Sequence, residues 1–485
     1  MLSPQNLKSY QRECVLKMLY NPEIMLWLQM GLGKTIITLT TIVDLMRAGK
    51  VKKTIIFGPI KVIESVWTTE AKKWEHTKHL RFSIIRETPE KRLRALFRDA
   101  DIYLVNYEMM NWLSENFEKY FQGKDLPWQC IVYDEISKVK HSTSLRVMGG
   151  VRDREDKHGE IFKIKVHGWR KMINRFTYRY GLTGTPASNG YMDLHGQFLV
   201  LDGGKRLGER ITNYRDRFFT RGYDGWSYKI SDENKKIIEA RISDITVKMD
   251  TKDYLDIPPT VVKRVMIDLP VSVMKKYKDA EKEYFFRLDS GIEIEIFNQL
   301  SLSNKCLQLC NGSPYTNEEL TSYEKVHDLK FEALEEILDT AGGSPVLCSY
   351  SYRSDAERIM QHFKKYKPVN LTLEKGKNTS NIISKWNNGE IKLLIGHPAS
   401  MGHGIDGLQT SGSIIVWFGL PPTANYEYYE QMNARLVRQG QSKPVTIVHL
   451  LCNNTLDLVI EDSIERKAKS QTELKNAIDR YRKQL

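Results

Sequence analysis

The sequence predicts an α/β protein of two parallel-sheet lobes joined by a helical region, and three observations lead there. Short β-rich runs followed by helical patterns fill the first half, the same rhythm returns after about residue 325, and the stretch between is charged with helical periodicity. A chain of 485 residues is also long enough to bury two or three separate cores.

In the first half the apolar run Ile24 to Leu28 is followed by Thr54 to Phe57, Ile102 to Val105 and Ile131 to Tyr133. Each ends in a polar or glycine-bearing turn, where an open α/β sheet places its ligand-binding groups. The second set is Pro345 to Cys348, Ile391 to Ile395, Ile414 to Trp417 and Val445 to Leu450. The boundaries that follow are 1–225 for the first lobe, 226–324 for a helical elaboration and linker, 325–460 for the second lobe and 461–485 for a charged C-terminal helix. The first part of the linker ends at Ile257, Pro258 and Pro259.

A hydrophobic fraction of 41% with 27% charged residues is that of a soluble globular protein and excludes a disordered or fibrous chain. The formal net charge of +13 favours an anionic polymer such as nucleic acid, although a solubility feature or an anionic lipid surface would give the same excess. The six cysteines, Cys14, Cys130, Cys306, Cys310, Cys348 and Cys452, lack zinc-finger spacing, so buried free thiols in a reducing compartment are expected. No signal-peptide pattern opens the chain, and no apolar run approaches the roughly 18 residues of a membrane span. An intracellular protein without membrane association is the expectation.

The sharpest local signal is Met30-Gly31-Leu32-Gly33-Lys34-Thr35, preceded by the strand Ile24 to Leu28 and followed by the helical Ile36 to Leu45. Strand, glycine loop and helix together form a phosphate-binding loop, in a shortened form because Leu28 stands where the full pattern has glycine. Glycines let backbone N–H groups approach phosphates, Lys34 reaches the β and γ phosphates, and Thr35 can hold Mg²⁺. ATP with Mg²⁺ is the ligand this predicts.

Ile131-Val132-Tyr133 delivers Asp134 and Glu135 at a strand end, an arrangement that is by itself an ordinary solvated turn. Coupled to Lys34 and Thr35 it becomes a catalytic pair, with Asp134 on Mg²⁺ and Glu135 as general base for the attacking water. Far downstream, Gln431, Arg435 and Arg438 have the spacing of one helical face. Two such arginines are by themselves a solvated or phosphate-binding surface. In a two-lobed ATPase they read as arginine fingers.

In chain order these motifs resemble those of Swi/Snf-type ATPases, the DNA-translocating branch of helicase superfamily two, over nearly the whole length. Leu7 to Gln11 resembles the adenine-reading motif, with Gln11 as reader, and Gln29 to Thr35 the phosphate loop, so that Met30, Gly31, Leu32, Gly33, Lys34 and Thr35 hold nucleotide. Pro59 to Trp74 and Val105 to Glu108 resemble the segments that contact nucleic acid. Leu182-Thr183-Gly184-Thr185-Pro186 with Asn189 resembles the L-T-G-T-P-x-x-N motif, which couples hydrolysis to DNA contact. Ile257 to Pro259 and Leu307 to Pro314 resemble the family linker and the segment after it. Ser349 to Ser351, Gly402 to Asp406 and Gln431 to Gln441 complete the set.

The resemblance implies two RecA-like lobes and a compact bacterial or phage-like member of the family. ATP would bind in the cleft between lobes, with Gly404, Asp406 and Gln431 sensing nucleotide and Arg435 and Arg438 completing the site. It implies DNA contacts at Lys61, Asn106, Thr185, Ser349 and Ser400, and a monomeric motor that moves along double-stranded DNA, plain or branched, in recombination, repair or replication. Its compartment would be the cytoplasm of a bacterium or an infected host. Three departures stand out: Asp134-Glu135-Ile136-Ser137 replaces D-E-A-H, Gln29 replaces a common aspartate, and a long basic stretch occupies Leu145 to Phe176. That stretch reads equally as a solvated insertion or a DNA-contacting loop. The rival readings are a strand-separating or branch-migrating DNA helicase, an RNA helicase, and a nonhydrolysing nucleic-acid scaffold.

Overall fold

Two sheets, each parallel throughout, organise the chain, and each has its own core. The structure, a computed structural model, describes the chain except for residues 30, 61, 141–143, 156–160, 189, 223–227, 250–257, 290–295, 318, 375–376, 402–404 and 483–485. Its two units are Met1–Tyr254 with Lys469–Leu485, and Leu255–Ala468.

The strands of the first unit are β1 (Glu23–Leu28), β2 (Thr54–Gly58), β3 (Phe82–Ile85), β4 (Ile102–Asn106), β5 (Cys130–Asp134), β6 (Gly149–Glu155), β7 (Ile161–His167), β8 (Tyr178–Thr183), β9 (Phe219–Arg221), β10 (Tyr228–Ile230) and β11 (Thr246–Met249). Seven of them form the main sheet in the order β11-β1-β8-β5-β2-β4-β3. β1 and β2 are buried at every position, as continuous apolar runs in a sheet covered on both faces require. Because the strands are parallel, Leu28, Gly58, Asn106, Asp134 and Thr183 all end at one edge, and the turns beyond them form a common rim.

The opposite edge is held by a buried ion cluster. The Arg179 guanidinium on β8 pairs with Glu23 of β1 and donates to the carbonyls of Leu201 and Phe176, while Lys205 lies 2.6 Å from the same carboxylate. Removing one partner would strand a buried charge, so the cluster fixes how β1 and β8 sit side by side.

The basic stretch between β5 and β8 is an antiparallel hairpin of β6 and β7 rather than a loop, entered by the short helix Leu145–Met148. It returns through the turn Trp169–Arg175, whose Trp169, Met172 and Ile173 are buried. The Trp169 ring meets Phe57 edge-on at 5.0 Å, and its indole donates to the Tyr133 hydroxyl at 2.8 Å. The C-terminal part of this stretch is therefore core.

The second unit contains β12 (Thr260–Ile267), β13 (Val346–Ser349), β14 (Val369–Asn370), β15 (Leu393–Gly396), β16 (Ile414–Trp417) and β17 (Val445–Cys452), ordered β12-β17-β16-β13-β15-β14. Successive residues of its strands face different cores: Val346 and Cys348 join one, Leu347 the other. The stretch 226–324, expected to be helical, thus supplies β11 to one sheet and β12 to the other, alongside the helices Val271–Asp289 and Ile296–Cys310.

Lys330 is wholly buried in the second unit, its ammonium 2.8 Å from Asp457 and 2.9 Å from the Asn311 amide oxygen. Asn311 in turn donates to Asp355, which caps the backbone N–H of Tyr352 at 2.9 Å. This network pins the segment Leu307 to Pro314 into the core. All six cysteines are buried, and none forms a disulfide. Cys310 and Cys452 lie close to Asp457, but that carboxylate is already engaged by Lys330 and by the Cys452 N–H. Among the described residues no helix is long and apolar enough to cross a membrane.

Candidate active site

The glycine loop joins the end of β1 to the helix Lys34–Arg47. Gly31 and Gly33 have φ of 85° and 82°, left-handed values that L side chains rarely adopt, and Gly33 is the residue that starts the helix. A Cβ at Gly33 would also lie 2.5 Å from the Gln11 amide nitrogen. Gln11, nearly buried on the helix Ser9–Tyr20, donates to the Leu32 carbonyl at 3.2 Å and accepts the Lys8 N–H at 2.9 Å. The predicted adenine reader is thus seated on the loop. Leu28 is the last residue of β1, which is why glycine is not needed there, and its carbonyl accepts the Lys34 ammonium at 2.8 Å. Thr35 occupies the first helical turn, and Met30 lies outside the described residues.

Asp134 ends β5 and Glu135 follows in a left-handed conformation, φ 61° and ψ 58°. Glu135 is buried, and its Oε1 accepts the Thr183 hydroxyl at 2.5 Å and the Ser137 hydroxyl at 3.1 Å. The Thr183 hydroxyl itself accepts the Thr185 N–H at 3.1 Å. Leu182-Thr183-Gly184-Thr185 is therefore hydrogen-bonded to the candidate base. Ser137, standing where the related motif has histidine, also serves that base. Asp134 accepts the Trp67 indole N–H on Oδ2 at 3.0 Å, and its carbonyl accepts the Tyr107 hydroxyl at 2.9 Å. Its carboxyl is pushed up to about 6, by burial and then by the charge of Glu135, against the pull of Lys34 and the Trp67 hydrogen bond. The adjacent carboxyls of Asp134 and Glu135 suit a hard oxygen-seeking cation, which Asp134 could hold, and Thr35 on the first helical turn offers a further oxygen.

The second unit brings Asp406, Gln431, Arg435 and Arg438 into one neighbourhood, though not as a helical face. The helix Tyr426–Asn433 stops before both arginines and the chain tightens into turns, with Arg435 N–H on Met432 and Arg438 N–H on Leu436. Arg435 is buried, donating to the carbonyls of Ile405 and Gln431. Burial, then the charge of Arg438, lowers it to about 9. Arg438 pairs with the exposed Asp406 at 3.2 Å. Gln431 donates to Glu427 at 3.0 Å, and Gly404 lies outside the described residues.

Of the expected DNA contacts, Asn106 and Ser400 are half-buried at or beyond strand ends. Thr185 and Ser349 are buried, so in this conformation neither side chain is presented at the surface. Lys61 and Asn189 lie outside the described residues. The roles of Trp67, Tyr107 and Ser137 at the acid pair were not foreseen. A tryptophan, a tyrosine and a serine near segments already singled out were the available signal.

Residues 10–150 match the SNF2-related domain. The chain is 32% identical over 465 residues to protein p41 of Acyrthosiphon pisum secondary endosymbiont phage 1, covering 94% of each chain. It is 29% identical over 192 residues to the Caenorhabditis elegans homolog of the SWI/SNF-related matrix-associated actin-dependent regulator of chromatin subfamily A containing DEAD/H box 1, covering 36% of this chain and 16% of that one. Among solved structures, the Sulfolobus solfataricus SWI2/SNF2 ATPase core in complex with dsDNA aligns with 99% of this chain and 96% of its own, at 22% identity and a TM-score of 0.43.

Proposed function

Because the chain belongs to the SNF2-related family of superfamily-two ATPases, we propose that it hydrolyses ATP to move along double-stranded DNA. The observation that carries this reading is the hydrogen-bonded run from Leu182-Thr183-Gly184-Thr185 to the buried Glu135, beside Asp134 and the glycine loop. A segment whose motif couples hydrolysis to DNA contact is joined directly to the group that would take the proton from water.

In this reading Gln11 reads the base, the loop from Met30 to Thr35 cradles the phosphates, and Lys34 exchanges the Leu28 carbonyl for phosphate oxygens. Thr35 and Asp134 would hold magnesium, which would supply positive charge to offset that of the transferred phosphoryl group. Glu135, oriented by Thr183 and Ser137, polarises the attacking water. Arg435 and Arg438 stabilise the charge that develops in the transition state, with Asp406 and Gln431 setting their positions. Lys61, Asn106, Thr185, Ser349 and Ser400 belong to the segments that follow the duplex backbone, Thr185 and Ser349 by shaping the backbone around them. Contacts of that kind read shape rather than sequence. The net charge of +13 suits such a partner.

The test compares ATPase rate with duplex DNA, single-stranded DNA, branched DNA and RNA at matched nucleotide concentration, together with displacement of a third strand from a triplex. Duplex should stimulate most, with a steep fall as salt rises, and the third strand should be displaced. Equal stimulation by RNA or single-stranded DNA, or an opened fork with an intact triplex, would overturn the proposal.

A further inference from the structure

Two segments assigned to DNA contact, Pro59 to Trp74 and Val105 to Glu108, lie apart in sequence, yet each places one aromatic donor on the same residue. Trp67 opens the helix Trp67–Lys73, is wholly buried, and gives its indole N–H to Asp134 Oδ2 at 3.0 Å. Tyr107 follows β4, stacks on Phe57 at 5.8 Å, and gives its hydroxyl to the Asp134 carbonyl at 2.9 Å. The first segment is also seated against that aspartate at the end of β2. A Cβ at Gly58 would lie 3.1 Å from Ile63 and 3.7 Å from the Asp134 Cβ. The aspartate that would hold magnesium is thus gripped on its side chain by one segment and on its backbone by the other.

We propose that Trp67 and Tyr107 are positioning residues through which duplex DNA, acting on their two segments, sets the Asp134 carboxylate for metal binding. The coupling rests on the DNA-driven reading above. The grip on Asp134 does not. A hydrogen bond from a buried indole to the carboxylate restrains its rotamer and so the direction in which it faces a cation. A shift in the helix Trp67–Lys73 or in the turn at Tyr107 moves the donor, and the acceptor must follow or lose its partner. Groups that orient metal ligands in this way typically change metal affinity by about 10- to 100-fold when removed.

The test uses the full chain with Trp67→Phe, which keeps an aromatic ring but loses the N–H, and Tyr107→Phe, which removes a single oxygen and leaves little risk to folding. Three quantities are measured: duplex affinity without nucleotide by fluorescence anisotropy, the Mg²⁺ concentration for half-maximal binding of a fluorescent ADP analogue, and turnover with and without duplex. Duplex affinity should stay within about twofold, since neither donor touches DNA in this account. The Mg²⁺ midpoint should rise about tenfold in Trp67→Phe, and the ratio of stimulated to unstimulated turnover should fall about tenfold in both variants. Variants with native melting temperatures whose midpoint and ratio both stay within twofold of wild type would overturn the proposal. If the wild type is not stimulated by duplex, the proposed function fails instead, and the Mg²⁺ midpoint alone decides whether Trp67 positions Asp134.

Discussion

Replacing Thr183 by valine removes one hydroxyl from a fully buried site and leaves the shape of the side chain nearly unchanged. That hydroxyl is 2.5 Å from Glu135 Oε1, and it accepts the Thr185 N–H at 3.1 Å. A hydrogen bond to a buried carboxylate is worth about 1.5–3 kcal/mol, and about 1.4 kcal/mol corresponds to tenfold in rate. Ser137 still donates to the same oxygen at 3.1 Å, so the lower half of that range applies and kcat should fall roughly 10- to 40-fold. Nucleotide affinity should change by less than about twofold, because the hydroxyl orients the base and is not assigned to nucleotide. The orphaned Thr185 N–H should also cost about 1–3 kcal/mol of stability, seen as a melting temperature lower by several degrees. Steady-state ATPase rates, equilibrium binding of a fluorescent ATP analogue and thermal unfolding separate these effects, and Thr183→Ser should recover most of the rate. A kcat within threefold of wild type alongside the predicted loss of stability would show that Thr183 supports the fold and not the base.

Glu135→Gln keeps an oxygen able to accept both hydroxyls, so ATP binding should persist while hydrolysis drops at least about 100-fold; comparable steady-state turnover would remove Glu135 from the role of base. Arg438→Ala should lower kcat by about 10³ while ATP affinity, read by equilibrium binding, moves less than about threefold, and a loss wholly in affinity would make Arg438 a binding residue only. Burial and the neighbouring Glu135 hold the Asp134 carboxyl at about 6, above the ordinary 3.8, so the folded protein favours its protonated form between those values. Cation binding must displace that proton: the Mg²⁺ midpoint should be flat above about pH 7 and rise about tenfold per pH unit well below 6. The same shift means this carboxyl costs the nucleotide-free protein stability as pH rises from about 4 to 6. A midpoint that stayed constant down to about pH 5 would contradict the placement of the metal on Asp134.

The glycine loop and the acid pair were legible in the sequence because each is a local signal: glycines at left-handed positions after an apolar strand, and two acids at the end of another. The strands β1, β2, β4, β5, β13, β15, β16 and β17 were legible as apolar runs, whereas the buried β8 and β11 carry Arg179 and Lys248 within short runs and were not. β12 was not, because most of its residues are exposed and Lys263 and Arg264 interrupt its apolar pattern. Helical spacing suggested a common helix for Gln431, Arg435 and Arg438, but the helix ends at Asn433 and tighter turns carry both arginines, a change of backbone that periodicity does not record. The bonds of Asp134 to Trp67 and Tyr107, and of Glu135 to Thr183, span 67, 27 and 48 residues, and only the order of strands in the sheet brings those partners together.

The sheet order also decides where this gene can be divided. β1, whose end carries the phosphate loop, has β11 as its outer neighbour, and β17 is covered along eight residues by β12. A fragment stopping at residue 225 would leave Glu-Ile-Met-Leu-Trp-Leu as a bare edge, five apolar residues in a row as a template for adding foreign strands. A fragment starting at 325 would do the same to Val445–Cys452. Only a junction between Met249 and Thr260 leaves both sheets whole. Shuffling of the two halves, by recombination or by an engineer, is thereby confined to that one short seam, and the motifs most easily recognised are a poor guide to it.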